Sequence, residues 1–323
     1  MSRASGLMER LRCLSCRSTV TAPEGEAGPV CIECGRRYQR VRGVPVFAAA
    51  EYFEFDKIIE DVTVNLTDAV NWKRMQARHA EREDDDVRLR ALEATRPFGH
   101  GRFYEWMHLA EMDTAARLYG SSLAGRDVLV VCAGRGMDAE FFWRRGARVT
   151  CADLSPSSLE RCEARFRAAG GQVQTVCCDA ESLPFDDGSF DVCLVYDGLH
   201  HLPHPYAALD EMSRVAADGV IVMEPNESSL VRLSRRLGWT TEFESSGNYK
   251  HYFDRHRLAE RLASRGFPIV RMAFRTIKKS HYPNRALELL GTPGAHHVAA
   301  GLLTAISLAA GPLGNRCIAV ARR

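Results

Sequence analysis

The chain has 323 residues, enough for one large domain and one small one. Hydrophobic residues make up 46% and charged residues 26%, the balance of a globular protein and not of a disordered or fibrous one. The formal net charge of +2 excludes a strong nucleic-acid footprint for the chain as a whole.

Near the start, Cys13-x-x-Cys16 and Cys31-x-x-Cys34 form two pairs separated by fourteen residues. Four thiolates at that spacing close a tetrahedral zinc site, and the intervening stretch, with Pro23 and Pro29, suits a loop. Free or disulfide-bonded cysteines are the alternative. No secretory pattern precedes the pairs and the other seven cysteines fall in core-like segments, so a cytoplasmic location is expected. Residues 1–50 therefore read as a small zinc ribbon, structural because four protein ligands leave no open position. They carry eight Arg and four Glu, an excess of +4 that zinc bound by four thiolates reduces to about +2. Residues 51–100 read as a helical connector, with an acidic run at 81–86 suited to a solvated helix face. Residues 102–106 (Arg-Phe-Tyr-Glu-Trp) either fold over a ligand or pack plainly.

Residues 128–139 run from an apolar strand into Ala133-Gly134-Arg-Gly136 and then a helix, and a second apolar run ends at Asp153. Two glycines let the backbone turn tightly and approach a ligand, and the lone carboxylate is placed to accept both hydroxyls of a ribose. Gly134-x-Gly136-x-x-Ala139 also fits the looser dinucleotide fingerprint. Further charge-free runs at 173–177, 192–195 and 220–223 predict strands buried on both faces. The stretches 157–169 and 206–215 have helical spacing and follow a proline. The alternation predicts an α/β, doubly wound, mostly parallel sheet with ligands at its carboxyl edge. Gly134, Asp153, Asp179 and Tyr196 all fall there.

The stretch from Cys178-Asp-Ala-Glu-Ser-Leu-Pro-Phe to His200-His-Leu202 has no counterpart in nicotinamide dehydrogenases. With the two motifs before it, it resembles class I S-adenosylmethionine (SAM)-dependent methyltransferases of the ubiquinone/menaquinone type, over about residues 100–275. The resemblance implies a seven-stranded Rossmann-like methyltransferase sheet across 101–323, with insertions at about 226–252 and 278–315. It also implies site roles. Ala133, Gly134 and Gly136 would cradle the methionine part of SAM, and Asp153 would hold the ribose. Leu154 would lie against the adenine, Asp179 would hold its amino group, and Ala180 would add a backbone contact, with Tyr196 at the same rim. Two positions depart from the family pattern: its usual acid is Val130 here and its first glycine is Cys132. Asp138 either replaces that acid or is a solvated first-turn residue. Cys34-Gly-Arg-Arg-Tyr and residues 41–47 resemble the zinc ribbon that activates, or is fused to, several methyltransferases, and residues 51–100 would then also cover the cofactor.

Methyl transfer is direct displacement and needs alignment above all. An oxygen or acidic carbon acceptor also needs a base, and His201, His200 and Tyr196 are the candidates, with His204 and Asp197 behind them. The basic cluster at Arg232–Arg236 and the aromatic stretch 247–252 form either a lid or a solvated surface. Residues 298–313 carry no charge. They are shorter than the roughly 20 residues of a membrane span. They read as a helix buried against the sheet, or as an apolar wall or membrane-surface contact for a lipid-linked substrate. The favoured function is methylation of a small-molecule acceptor (a specialised metabolite, saccharide or lipid-linked intermediate). The alternatives are an RNA base methyltransferase whose ribbon touches RNA, a non-catalytic SAM-fold binding protein, and, more distantly, a nicotinamide oxidoreductase.

Overall fold

A computed structural model describes residues 6–22, 28–61, 64–85, 102–240, 242–243, 249–276, 289–290 and 292–323. The chain opens with a helical turn, α1 (Leu7–Arg10), and a small antiparallel hairpin, β1 (Val20–Thr21) with β2 (Val30–Cys31). A second hairpin pairs β3 (Gln39–Val41) with β4 (Val44–Phe47). Its two turn residues, Arg42 and Gly43, both have positive φ (52° and 81°), as a tight hairpin of this hand demands. Three short 3-10 turns lead to α2 (Ala69–Asp85), and α3 (Arg102–Tyr119) follows.

The alternating unit then begins. In order it contains β5 (Asp127–Val131), α4 (Met137–Trp143), β6 (Arg148–Asp153), α5 (Pro156–Ala168), β7 (Gln174–Cys178) and β8 (Phe190–Tyr196). It continues through α6 (Pro205–Val215), β9 (Ala216–Pro225), α7 (Ser229–Arg236), α8 (Arg255–Ser264), β10 (Ile269–Arg275), α9 (Pro293–Ala310) and β11 (Arg316–Arg322). Sequence signals set the helix starts. Pro156 and Pro205 occupy first-turn positions, and the side chains of Ser155, Ser228 and Asp254 accept hydrogen bonds from the free amides of α5, α7 and α8.

The main sheet has the order β10-β11-β9-β8-β5-β6-β7-β4-β3. From β9 to β4 every pairing is parallel; β11 and β10 are antiparallel, as is β3. All seven expected strands are present. Two more come from the amino-terminal region, because β4 pairs with β7 (Val46 opposite Cys177, Phe47 opposite Cys178). The chain builds outward from β5 to β6 and β7, then returns to lay β8 on its other side, so the topological switch point lies between β5 and β8. Alternate residues feed opposite faces: Leu129 and Val131 enter one core, Val128 and Val130 the other. The ribbon shares the first of these cores. Leu11, Cys13, Val20, Cys31 and Tyr38 pack with Phe47, Leu183 and Phe185, and the Tyr38 and Phe47 rings stack at 4.1 Å.

The carboxy-terminal insertion departs from the expectation of a buried helix. α9 lies on the surface, and only 6% of the apolar window Gly294–Leu313 is buried. At 20 residues that window is also longer than the sixteen-residue run, long enough by length and composition alone to cross a membrane. Its Ala299, Ala300 and Leu303 pack on Phe103 and Met107 of α3, so the aromatic stretch at 102–106 is in part plain packing. Residues 86–100 and 244–248, which include parts of the expected connector and lid, lie outside the described residues.

Gly136, with φ 76°, precedes α4, and a Cβ there would meet Cys162 Sγ of α5 at 2.2 Å. Left-handed strain and the close contact together predict that Gly136→Ala lowers stability by about 2–4 kcal/mol. Urea unfolding measures it; a loss below about 1 kcal/mol would contradict this packing of α4 on α5.

Candidate functional site

The carboxyl ends of β5, β6 and β7 open into one crevice lined by Val131, Cys132, Ala152, Asp153, Leu154, Cys178, Asp179, Ala180, Leu202 and Lys73. Four of the expected cofactor residues, Asp153, Leu154, Asp179 and Ala180, thus come together. Asp153 is fixed by the loop it faces: Gly134 N–H donates to Oδ2 at 2.8 Å and Ser155 N–H to Oδ1 at 2.9 Å. Gly134, at φ 48°, has nothing within 4 Å of a would-be Cβ, so its backbone borders open space. Cys132 stands where the family's first glycine was expected and has φ 53°. The left-handed conformation explains that glycine preference, and Cys132 carries the strain. Gly198 makes room for it, because a Cβ there would lie 2.3 Å from Cys132 Cβ. Burial, then nearby carboxylates, pushes the Cys132 thiol well above its ordinary value, which leaves it a packing group and not a nucleophile.

Lys73, on α2, was not foreseen. Its ammonium reaches across the crevice to bridge Asp179 and Glu181, the latter at 2.9 Å, and lies 5.2 Å from the Tyr52 ring. Tyr52 hydroxyl also donates to Asp179 at 3.3 Å. Burial alone would lower the Lys73 pKa; the two carboxylates reverse this and raise it. The next residue, Trp72, donates its indole N–H to the His201 carbonyl at 2.6 Å and stacks on His251. Helix α2 therefore crosses the carboxyl edge over Asp179. No sequence signal marks Lys73, since its partners lie more than a hundred residues away.

Two sequence expectations need correction. Asp138 is not a solvated first-turn acid: it is buried, with Oδ1 2.6 Å from His108 Nε2 of α3. Tyr196 is not placed to act as a base. Its hydroxyl donates to Glu111 Oε2 at 2.6 Å, and burial followed by the Glu111 and Asp197 carboxylates pushes its pKa well above the ordinary value. Glu111, fully buried, also receives Arg316 Nε at 3.0 Å, and Arg316 bridges on to Asp197. This network pins α3 and β11 to the end of β8.

The histidine rim has its own anchor. Glu224, at the end of β9 and fully buried, accepts Gly198 N–H at 2.9 Å and Leu199 N–H at 2.7 Å on one oxygen. Its other oxygen lies 2.6 Å from His200 Nδ1. His200 is buried, its ring against that of His201 with centroids 4.1 Å apart. His204 sits outside, with Nδ1 3.2 Å from Glu181. His251 completes the group; burial and then His200 and His204 lower its pKa. The pair His200–Glu224 is thus the built element, and the carboxylate was the part that sequence spacing did not reveal.

At the other end of the chain the four thiols of Cys13, Cys16, Cys31 and Cys34 lie within 4.8 Å of one another. Cys13 and Cys34 sulfurs are 3.6 Å apart, Cys16 and Cys31 3.4 Å. An ideal tetrahedron with Zn–S of about 2.3 Å has edges of about 3.8 Å, so the donor set fits zinc. The two knuckles repeat one backbone pattern. Cys13 N–H donates to Ser18 O and Arg17 N–H returns to Cys13 O; Cys31 N–H donates to Arg36 O and Gly35 N–H returns to Cys31 O. Arg17 and Gly35 take matching left-handed conformations (φ 62° and 71°). Burial opposes ionisation of Cys13, yet hydrogen bonds from Tyr38 hydroxyl and the Cys16 and Ser15 amides bring it down to about 6. The ribbon is tied to the sheet by Arg12 N–H to Pro184 O (2.8 Å), Arg17 to Leu183 O (3.1 Å) and the ion pair Arg10–Asp127 (2.9 Å).

Residues 129–223 match a family of methyltransferase domains. A demethylmenaquinone methyltransferase of Thermobifida fusca is 33% identical over 144 residues, 44% of this chain and 58% of that protein. A phthiotriol/phenolphthiotriol dimycocerosates methyltransferase of Mycobacterium leprae is 33% identical over 128 residues, 39% of this chain and 45% of that protein. The matched region thus spans about half the length of these curated relatives. The crystal structure of the [4+2]-cyclase SpnF has the same fold (TM-score 0.51, 19% identity, 76% of this chain and 95% of that one). A cyclase on this fold shows that architecture alone does not name the reaction.

Because β4 joins β7, whose end carries Asp179, the ribbon and the crevice are mechanically linked. Cys16→Ser should abolish stoichiometric zinc and lower the unfolding temperature by several degrees, as an equivalent loss of about 2 kcal/mol would. Metal analysis and thermal unfolding on the same samples check it; equal zinc in mutant and parent would refute the knuckle assignment.

Proposed function

We propose that this chain, whose central unit is a class I SAM-dependent methyltransferase domain, transfers a methyl group from SAM to a small, largely apolar acceptor. One observation carries the reading. Asp153, Leu154, Asp179 and Ala180 line a single crevice beside the topological switch point, with the glycine loop bonded to Asp153. The named relatives act on demethylmenaquinone and on phthiotriol-type acceptors, which supports small or lipid-like acceptors over nucleic acid.

When bound, SAM supplies a methyl group already activated on a sulfonium. The chain's own residues then have three tasks. The Ala133–Gly136 loop and Asp153 hold the methionine and ribose ends, with Asp179 and Ala180 at the adenine. Lys73 balances the buried charge of Asp179 and Glu181, and α2 excludes water from the adenine end. At the rim, Glu224 holds His200 Nδ1 and so fixes its ring, and this imidazole is the base for an acceptor that must lose a proton. His201 packs against that ring, tilted by 35°, and shapes the pocket. The four cysteines hold zinc as a structural ion and take no part in the transfer.

The experiment is transfer of labelled methyl from SAM to a panel of quinols, phenols, saccharides and lipid alcohols. Apolar acceptors should be methylated, and His200→Ala should lower kcat by about 100-fold or more while SAM affinity stays within about 3-fold. A larger loss in His201→Ala than in His200→Ala would contradict the Glu224-anchored base. Tight SAM binding with no transfer to any acceptor class would contradict the enzymatic reading.

A further inference from the structure

Large exposed apolar side chains gather on two neighbouring helices. On α7, Leu230, Leu233 and Leu237 face solvent at intervals of three and four while Val231 is buried, and Trp239 just beyond is 76% exposed. That spacing makes one stripe. On α9, Val298, Leu302 and Ile306 form a second exposed stripe, with Leu308 (80%) beside it and Leu313 just after the helix. The start of α7 meets the turn that follows α9. Ser228, which caps α7, donates to Leu313 O at 2.8 Å, and Asn226 donates to Pro312 O at 3.0 Å and Gly314 O at 2.7 Å. Arg316 lies opposite Pro225 in the strand register, so this junction sits at the carboxyl end of β9, on the rim that carries Glu224 and His200.

Monomeric proteins seldom expose so much contiguous apolar surface without a partner for it. The charge pattern says which partner. Residues 228–241 hold Arg232, Arg235 and Arg236 and no acid, and residues 289–315 hold no charged side chain. Arg235 pairs with Glu242 at 2.7 Å and with Glu227 at 3.7 Å, while Arg232 and Arg236 stay exposed beside the stripe. Leucines and an exposed tryptophan beside arginines, with no carboxylate on either helix itself, are the composition of a helix lying in the plane of an anionic bilayer. The contacts of α9 hold it against the domain, which favours lying on a bilayer over crossing one. Its inner side packs on α3, Ser307 Oγ accepts Thr276 N–H at 3.0 Å, and the flanking strands are locked together with Arg275 opposite Arg316.

We propose that the α7–α9 face docks on anionic phospholipid bilayers and sets the acceptor rim against the membrane. The docking does not depend on methyl transfer, so failure of the enzymatic reading would leave it standing. The test is co-sedimentation of the full chain with vesicles of phosphatidylcholine alone or with about one third phosphatidylglycerol. Binding to the anionic vesicles should be at least about 10-fold stronger than to neutral ones and should weaken with salt. The double variant Leu233→Asp/Leu302→Asp should lose at least about 10-fold of that binding, and Arg232→Glu/Arg236→Glu should remove its preference for anionic lipid. Unfolding temperatures matching the parent's would show that the variants are folded. Absence of vesicle binding, or binding unchanged in both variants, would overturn the proposal. So would a stable dimer that Leu302→Asp dissociates and that ignores vesicles, since the occupant would then be a second copy of the chain.

Discussion

Parallel pairing of β5 with β6 on one side and β8 on the other is the constraint from which the rest follows. Parallel neighbours need crossovers, and every crossover returns the chain to the same edge. The loops after β5, β6, β7, β8 and β9 therefore leave from one rim, bringing Gly134, Asp153, Asp179, His200 and Glu224 within reach of one crevice although they span some ninety residues of sequence. Reversal of direction between β5 and β8 splays those loops apart and leaves the opening. Beside that gap, the Gly134–Asp153 hydrogen bond ties together the loops after β5 and β6.

What the sequence made legible was whatever depends on local chain direction. Asp153 and Asp179 could be placed because each closes an apolar run, and the four cysteines because zinc imposes its own spacing. Lys73, Glu111 and Arg316 could not. Their charges are held by partners 106, 85 and 205 residues distant in the chain, and nothing local separates them from ordinary surface residues. Asp138 stayed open between a replacement acid and a solvated one for the same reason, because its neighbour His108 lies on another helix. The α9 region shows the converse: its lack of charge was plain, but whether an apolar helix faces the core or the solvent depends on what packs over it. The sheet edge was hidden too, since pairing of β4 with β7 joins residues 46 and 177.

These distant charges share an energetic logic. A buried ion pair gains little over an apolar pair of the same shape, but losing one partner costs about 3–5 kcal/mol. Lys73 between Asp179 and Glu181, and Arg316 between Glu111 and Asp197, therefore act less as sources of stability than as fixings. The first ties α2 over the end of β7; the second ties α3 and β11 to the end of β8. Glu224 does the same for the His200 loop through two backbone amides. The rim is held in place before any ligand arrives, which is what alignment-limited chemistry needs.

The central claim is that this crevice takes SAM, and calorimetric titration of zinc-loaded protein with S-adenosylhomocysteine, in parallel with Asp153→Ala, tests it most directly. The account predicts binding in the micromolar range, about −8 kcal/mol, weakened at least about 10-fold by the substitution in protein that remains folded. No binding by the parent protein, or equal affinity in Asp153→Ala, would contradict it.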